Sequence, residues 1–139
     1  MPNRPLLLLA LGTLAIHGGC ANQGVPEYPV SGIVRLENGM PVQAGVVEFT
    51  SADQIHTVRA NLNNEGQFSL RAVAGKHHVV VVQLIVTEEL PLHEHDHDPT
   101  IDPDFGHYQR SGLSYLVKPG QNDNAEFIVR ELDKATSDN

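Results

Sequence analysis

Along most of this chain apolar and polar residues alternate with a period of two, the spacing that turns one face of a strand towards a core. From Tyr28 to Leu36 the chain has strand-favouring residues at Val30, Ile33, Val34 and Leu36, the last two on one face of a pleat. Asn38-Gly39 then offers the pair that most readily takes positive φ in a short turn, and Pro41 follows, without an amide hydrogen for a ladder. A return segment carries Val46, Val47 and Phe49, with Glu48 facing the other way and Gly45 marking a bend or bulge. The pattern predicts a hairpin over Tyr28 to Thr50, with the later strands packed around it.

The alternation continues. Ile55 to Leu62 reads as a strand with Val58, Ala60 and Leu62 inward and His56 at a hydrogen-bonded rim position. Asn63-Asn64-Glu65-Gly66 reads as a turn and Phe68 and Leu70 as the next strand, so these two strands predict a second hairpin. Ala72 to Lys76 is expected to be a loop. His77 to Val86 (HHVVVVQLIV) is rich in β-branched residues and predicts a central, well-buried strand covered on both edges. Gly112 to Val117 and Ala125 to Val129 complete about seven strands, with turn signals spaced as in a sandwich and no helix.

Several of these stretches resemble the carboxypeptidase regulatory-like domains, whose recurring pattern is a G-x-V strand, a Gly/Pro turn, an aG-x-V-x-F strand and a later G-x-F strand. Here they stand as Gly32-Ile33-Val34, Asn38-Gly39-Met40-Pro41, Ala44-Gly45-Val46-Val47-Glu48-Phe49 and Glu65-Gly66-Gln67-Phe68. The resemblance covers roughly Tyr28 to Arg130 and implies a single seven-stranded, transthyretin-like, Greek-key β-sandwich, in a family whose members are usually non-catalytic modules. Residues 28–131 are read as that domain. A pattern from Ser111-Gly112-Leu113 through Val129 also resembles small bacterial lipoproteins.

The first twenty residues follow a different pattern. Arg4 precedes an apolar run from Leu6 to Ile16, and small residues lead to Cys20, the only cysteine. This is the layout of a secretory signal, with a run too short to span a bilayer comfortably. The cysteine at this place resembles the lipobox of bacterial lipoproteins, with His17 where that family usually has Leu. The resemblance implies a signal peptide over residues 1–19, cleavage before Cys20, diacylation of its sulfur and a short tether over 20–27. Several acyl chains would hold the protein firmly to membrane lipid, where a single chain binds marginally. The expected place is the cell envelope, on the periplasmic or outer-surface side. Ala21, rather than Asp, follows the cysteine and favours the outer membrane.

With 139 residues and a formal net charge of −8, the chain has room for one core but is a poor match for a nucleic-acid backbone. Its candidate chemistry lies in Thr87 to Ser111, a long insertion without a clear period that holds seven acidic residues. There His93, His95 and His97 alternate with Glu94, Asp96 and Asp98. On extended backbone this places three imidazoles on one face, successive ones roughly 6.6 Å apart. Two of them, with Asp96, Asp98 or His107, make a donor set for Zn, Ni or Cu. His77-His78 is a second pair, but adjacent strand residues face opposite ways.

Enzyme signatures are few: the chain has no G-x-S-x-G and no phosphate loop. Transthyretin-like hydrolases of ureide metabolism share the general fold, but their C-terminal Y-R-G-S is missing here. The expectation is a non-enzymatic, lipid-anchored binding or structural protein whose partner is an envelope protein or carbohydrate. Metal handling through the histidine segment and a small hydrolase are the alternative classes. Residues 132–139 read as a flexible tail.

Overall fold

The computed structural model describes residues 24–83 and 101–132. Seven strands and one short 3-10 turn make up those residues: β1 (Glu27–Leu36), β2 (Gly45–Ser51), β3 (Thr57–Asn61), β4 (Gln67–Val73), β5 (Gly75–Gln83), η1 (Pro103–Gly106), β6 (Leu113–Val117) and β7 (Asn122–Val129). They form two sheets packed as a sandwich, one of three strands in the order β4-β1-β7 and one of four in the order β3-β2-β5-β6. The all-β sandwich expected from the alternation is the fold. Among the described residues no helix is long and apolar enough to cross a membrane.

The inward residues of both sheets meet in a single core. One sheet contributes Val30, Val34, Phe68, Leu70, Phe127 and Val129, and the other Val47, Phe49, Val79, Val81 and Val117. Phe49 is the hub: its ring centroid lies 5.9 Å from Phe68, 5.8 Å from Phe127 and 5.9 Å from Tyr115. Tilted and edge-on aromatic pairs at this distance add to what burial alone contributes. His77 is also fully buried in this layer, its ring 6.0 Å from Phe49 and its Nδ1 3.0 Å from the Gly75 carbonyl oxygen.

Both predicted hairpins are corrected. The Asn38-Gly39 turn forms, closed by Gly39 N–H to the Leu36 carbonyl at 2.8 Å and Leu36 N–H to Met40 at 2.7 Å. The return chain pairs with β1 only through the Arg35–Pro41 bridge, where the bonds come from Leu36 and Val42 and the missing Pro41 N–H is not needed. It then crosses, through Ala44 at φ 53°, to start β2 in the opposite sheet. Likewise β3 and β4 lie in different sheets, β3 beside β2 and β4 beside β1. The physical reason is common to both cases. Strands that pair within a sheet and strands that face each other across a sandwich turn their apolar side to the same core, so their alternation is identical.

Other boundaries also move. The loop expected over Ala72 to Lys76 shrinks to Ala74, with β4 and β5 running up to it. The buried central strand is β5, flanked by β2 and β6 as expected; the part of its predicted span beyond Gln83 lies outside the described residues. β7 starts earlier than Ala125, because the buried Asn122 amide donates to the carbonyls of Pro29, Lys118 and Gly120 and so ties the β6–β7 turn to β1.

β1 is the axis of the three-stranded sheet, antiparallel to β4 and parallel to β7, with a register shift between Val30 and Gly32. At this irregularity the strands approach so closely that a Cβ on Gly32 would stand 2.1 Å from the Ala125 carbonyl oxygen. No other residue fits there without moving backbone.

Candidate functional site

Burial on the four-stranded sheet departs from simple alternation. The side chains of Glu48 and Thr50 on β2 and Val80 on β5 point away from the core, yet they are 6%, 7% and 3% exposed. The chain after the histidine-rich segment returns along β5 here, and a set of specific bonds anchors it. Ile101 is buried in the core and bridges Glu131. Asp102 N–H donates to the Arg130 carbonyl at 3.0 Å. Its carboxylate accepts from Asp104 N–H at 2.9 Å, capping η1, and pairs with the Arg130 guanidinium. The Arg130 bond, followed by the Asp104 N–H, holds the Asp102 carboxyl below its ordinary value. Phe105 packs against the core with the Arg130 guanidinium carbon 5.7 Å over its ring.

Beyond η1, Ser111 N–H and Arg110 N–H both donate to the His107 carbonyl, at 2.8 and 3.0 Å, and turn the chain. Ser111 Oγ then donates to the Val79 carbonyl at 2.7 Å, fixing the turn to β5 just where its pairing with β6 ends. Tyr108, in the middle of this turn, reaches over the sheet, and its hydroxyl accepts a 3.0 Å bond from Thr50 Oγ1. Thr50 Oγ1 in turn lies 3.0 Å from Thr57 Oγ1 on β3. On the next row Arg59 pairs with Glu48.

The register explains why these side chains gather. Thr57 pairs with Thr50, Thr50 with His78, and His78 with Ser114, so one polar row crosses all four strands on the outer face. Tyr108 stands over this row and lines two hollows. The larger, about 700 Å³, is lined among the described residues by Thr50, Thr57, His107 and Arg110, and the smaller, about 500 Å³, by Lys76, Gly112, Leu113 and Ser114. Gln54, His78, Tyr108 and Gln109 line both. Gln54 is held in left-handed backbone at φ 61° by the β2–β3 turn, in which the Ser51 hydroxyl and the Ile55 N–H donate to Asp53. Those two bonds also lower the Asp53 pKa, with the hydroxyl the larger influence.

Of the residues singled out in the sequence, Cys20, His93, His95, His97, Asp96 and Asp98 lie outside the described residues. His107 is described and exposed, on the rim of the larger hollow. Among the described residues no group of three or more His, Cys, Asp or Glu side chains is placed to hold a metal ion. Asp102 and Asp104 are engaged with Arg130 and Arg110, the latter pair at 3.0 Å. The His77-His78 pair splits as expected, one ring in the core and one in the trough. Sequence reasoning missed Thr50, Thr57, Gln54 and Tyr108 altogether. The available signal was the polar Glu48 and Thr50 in a strand whose residues from Gly45 to Phe49 are otherwise glycine, valine and phenylalanine.

No family model matches the chain. No curated protein matches it either. Among solved structures it is similar to a DUF3823 family protein from Parabacteroides merdae, at 12% identity and a TM-score of 0.47, over 76% of this chain and 47% of that one. It is similar as well to hydroxyquinol 1,2-dioxygenase from Pseudomonas putida, at 16% identity and a TM-score of 0.44, over 81% of this chain and 59% of the enzyme. A third is BcpA, the major pilin subunit of Bacillus cereus, at 12% identity and a TM-score of 0.38, over 76% of this chain and 29% of the pilin. The chain thus spans about half the length of the DUF3823 protein. These likenesses concern the fold alone.

Proposed function

We propose that this protein is a lipid-anchored, exported β-sandwich of the carboxypeptidase regulatory-like kind that binds a ligand at the cell envelope without transforming it. The observation that carries the binding role is the trough over the four-stranded sheet. Among the described residues, the hydroxyls of the larger hollow bond to one another, Thr57 to Thr50 to Tyr108, and not to an imidazole that would draw off a proton. The remaining lining of that hollow is amide, imidazole and guanidinium, groups that recognise rather than react when no nucleophile is paired with a base.

The anchor is supported by the sequence layout: a charged start, an apolar run, small residues and the single Cys20, with a short polar stretch before β1 begins at Glu27. Expression of the full chain in a Gram-negative host with labelled palmitate tests it. Label and membrane fractionation are expected for the natural chain, with both lost in Cys20→Ser. A soluble, unlabelled natural chain overturns the anchor.

Metal handling is the second reading, favoured by the alternation of His93, His95 and His97 with acidic residues. Titration of the full chain with Zn²⁺, Ni²⁺ and Cu²⁺ decides it. One site per chain, abolished by changing the three histidines to alanine, would establish that reading.

A further inference from the structure

The trough has a composition that narrows the ligand, and the inference drawn from it rests on the binding role proposed above. The whole chain is strongly acidic, with 17 Asp and Glu against 9 Lys and Arg. Yet no carboxylate is among the described residues that line either hollow, while Lys76, His78, His107 and Arg110 all are. Arg110 Nε is held by Asp104 from outside this lining, 3.0 Å away, which fixes the guanidinium in place. A lining that is basic and without carboxylate among the described residues, on an acidic protein, favours an anion.

The uncharged lining narrows the choice further. Tyr108 is 43% exposed, so much of its ring is open to solvent while its hydroxyl is pinned to Thr50. A ring held in this way presents a flat apolar platform at low entropic cost. Around it stand Gln54 and Gln109, whose planar amides donate and accept side by side, and the hydroxyls of Thr57 and Ser114. Leu113 is the one large aliphatic side chain among these residues. A lipid-like ligand would therefore find little apolar cover. A bare phosphate would leave the platform and both amides unused. A ligand with one C–H face, many hydroxyls and a negative charge uses all three kinds of group.

The row is also the right shape for an extended ligand. Thr57, Thr50, His78 and Ser114 sit on four consecutive strands, so the row spans roughly 14 Å at the usual strand spacing. Tyr108 lines both hollows. We propose that this trough binds a short acidic saccharide, one sugar ring stacked on Tyr108, its hydroxyls bonded to the glutamine amides, and its carboxylates facing Lys76 and Arg110.

Calorimetric titration of the full chain in detergent tests the assignment, with trigalacturonic acid, neutral cellotriose and inorganic phosphate as probes. One trigalacturonate per chain is expected, with cellotriose weaker and phosphate silent. Tyr108→Ala should weaken binding about tenfold, the loss of one aromatic contact. Tyr108→Phe keeps the platform and should bind within about threefold of the natural chain, which separates stacking from the Thr50 bond. Lys76→Ala with Arg110→Ala should erase the preference for trigalacturonate over cellotriose. Phosphate binding that competes fully with trigalacturonate overturns the proposal in favour of a simple anion site. Binding that Tyr108→Ala leaves unchanged, or silence of both saccharides, overturns it outright. Tyr108-dependent binding of cellotriose alone overturns the acidic class and leaves the binding role standing. Co-sedimentation of the Cys20→Ser chain with isolated cell envelopes separates the two failures. Retention there that Tyr108→Ala abolishes supports the trough as the binding surface even if both saccharides fail, and retention untouched by that change overturns the binding role of the trough itself.

Discussion

The two sheets of this sandwich share one core but meet solvent in different ways. On the three-stranded sheet β4 alternates cleanly, with Phe68, Leu70 and Ala72 buried and Gln67, Ser69 and Arg71 exposed. On the four-stranded sheet β2 is buried or half-buried at every position and β5 keeps Val79, Val80 and Val81 all buried. The first sheet has one dry face, as antiparallel strands at a surface commonly do. The second is flanked on its outer side by residues 101–112, and a polar trough lies where that cover meets the row of Thr57, Thr50, His78 and Ser114. Loss of alternation in this chain therefore marks covered outer surface, and covered outer surface marks the candidate site.

The sheets also differ in what limits them. Close backbone approach limits the three-stranded sheet, and the sharpest way to break it is Gly32→Ala. The new methyl would meet the Ala125 carbonyl, which belongs to the paired strand and cannot rotate away. The expected cost is ~3 kcal/mol, a fall in melting temperature of roughly 12–24 °C for a domain of this size. A melting temperature unchanged by the substitution would show that β1 and β7 are not held this tightly.

The cover on the other sheet should be weaker and local. Ile101→Ala empties a buried site at the sandwich rim and should cost ~2 kcal/mol, the low end for such a change. Amide exchange sharpens the comparison: protection should fall first at Val80 and Val82, beside η1, and hold at Val30 and Val34 in the other sheet. Uniform loss across both sheets would mean that the cover and the core unfold as one unit.

The smallest effect expected is that of pH. The Asp102 carboxyl is held below its ordinary value of 3.8 by Arg130 and the Asp104 N–H. A depressed carboxylate adds stability that is fully present above the unfolded pKa and lost as pH falls through the folded one. The natural chain should thus exceed Asp102→Asn in stability by a constant margin above about pH 5, and the margin should shrink below about pH 4. Denaturant titrations at a series of pH values measure it. A margin independent of pH would assign the role of Asp102 to its bonds as a cap and not to its charge.

Much of the fold was legible because each strand declares its buried face. Val34 and Leu36, Val47 and Phe49, Phe68 and Leu70, and Phe127 and Val129 all point inward as their spacing requires. Partners were not legible. Leu36 and Val46 are joined by a turn that reads as a hairpin and forms as one for a single bridge, before the buried Val42 and left-handed Ala44 carry the chain across to the other sheet. The candidate site was the least legible part. Thr50 and Tyr108 are 58 positions apart, and neither belongs to a motif. Histidine spacing drew attention to His93–His97 instead, which lies outside the described residues.

What the sequence by itself determined is local: which residues extend, where Asn38-Gly39 and Asn63-Asn64-Glu65-Gly66 turn, and which side of each strand is dry. These follow from backbone preferences and from the two-residue period, which act within a few positions. Only the tertiary structure decided that β1 lies between β4 and β7, that Gly32 must be bare, and that Tyr108 comes to rest over Thr50 and His78. Those outcomes depend on contacts between residues far apart in the chain, and such contacts exist only once the two sheets have closed on their common core.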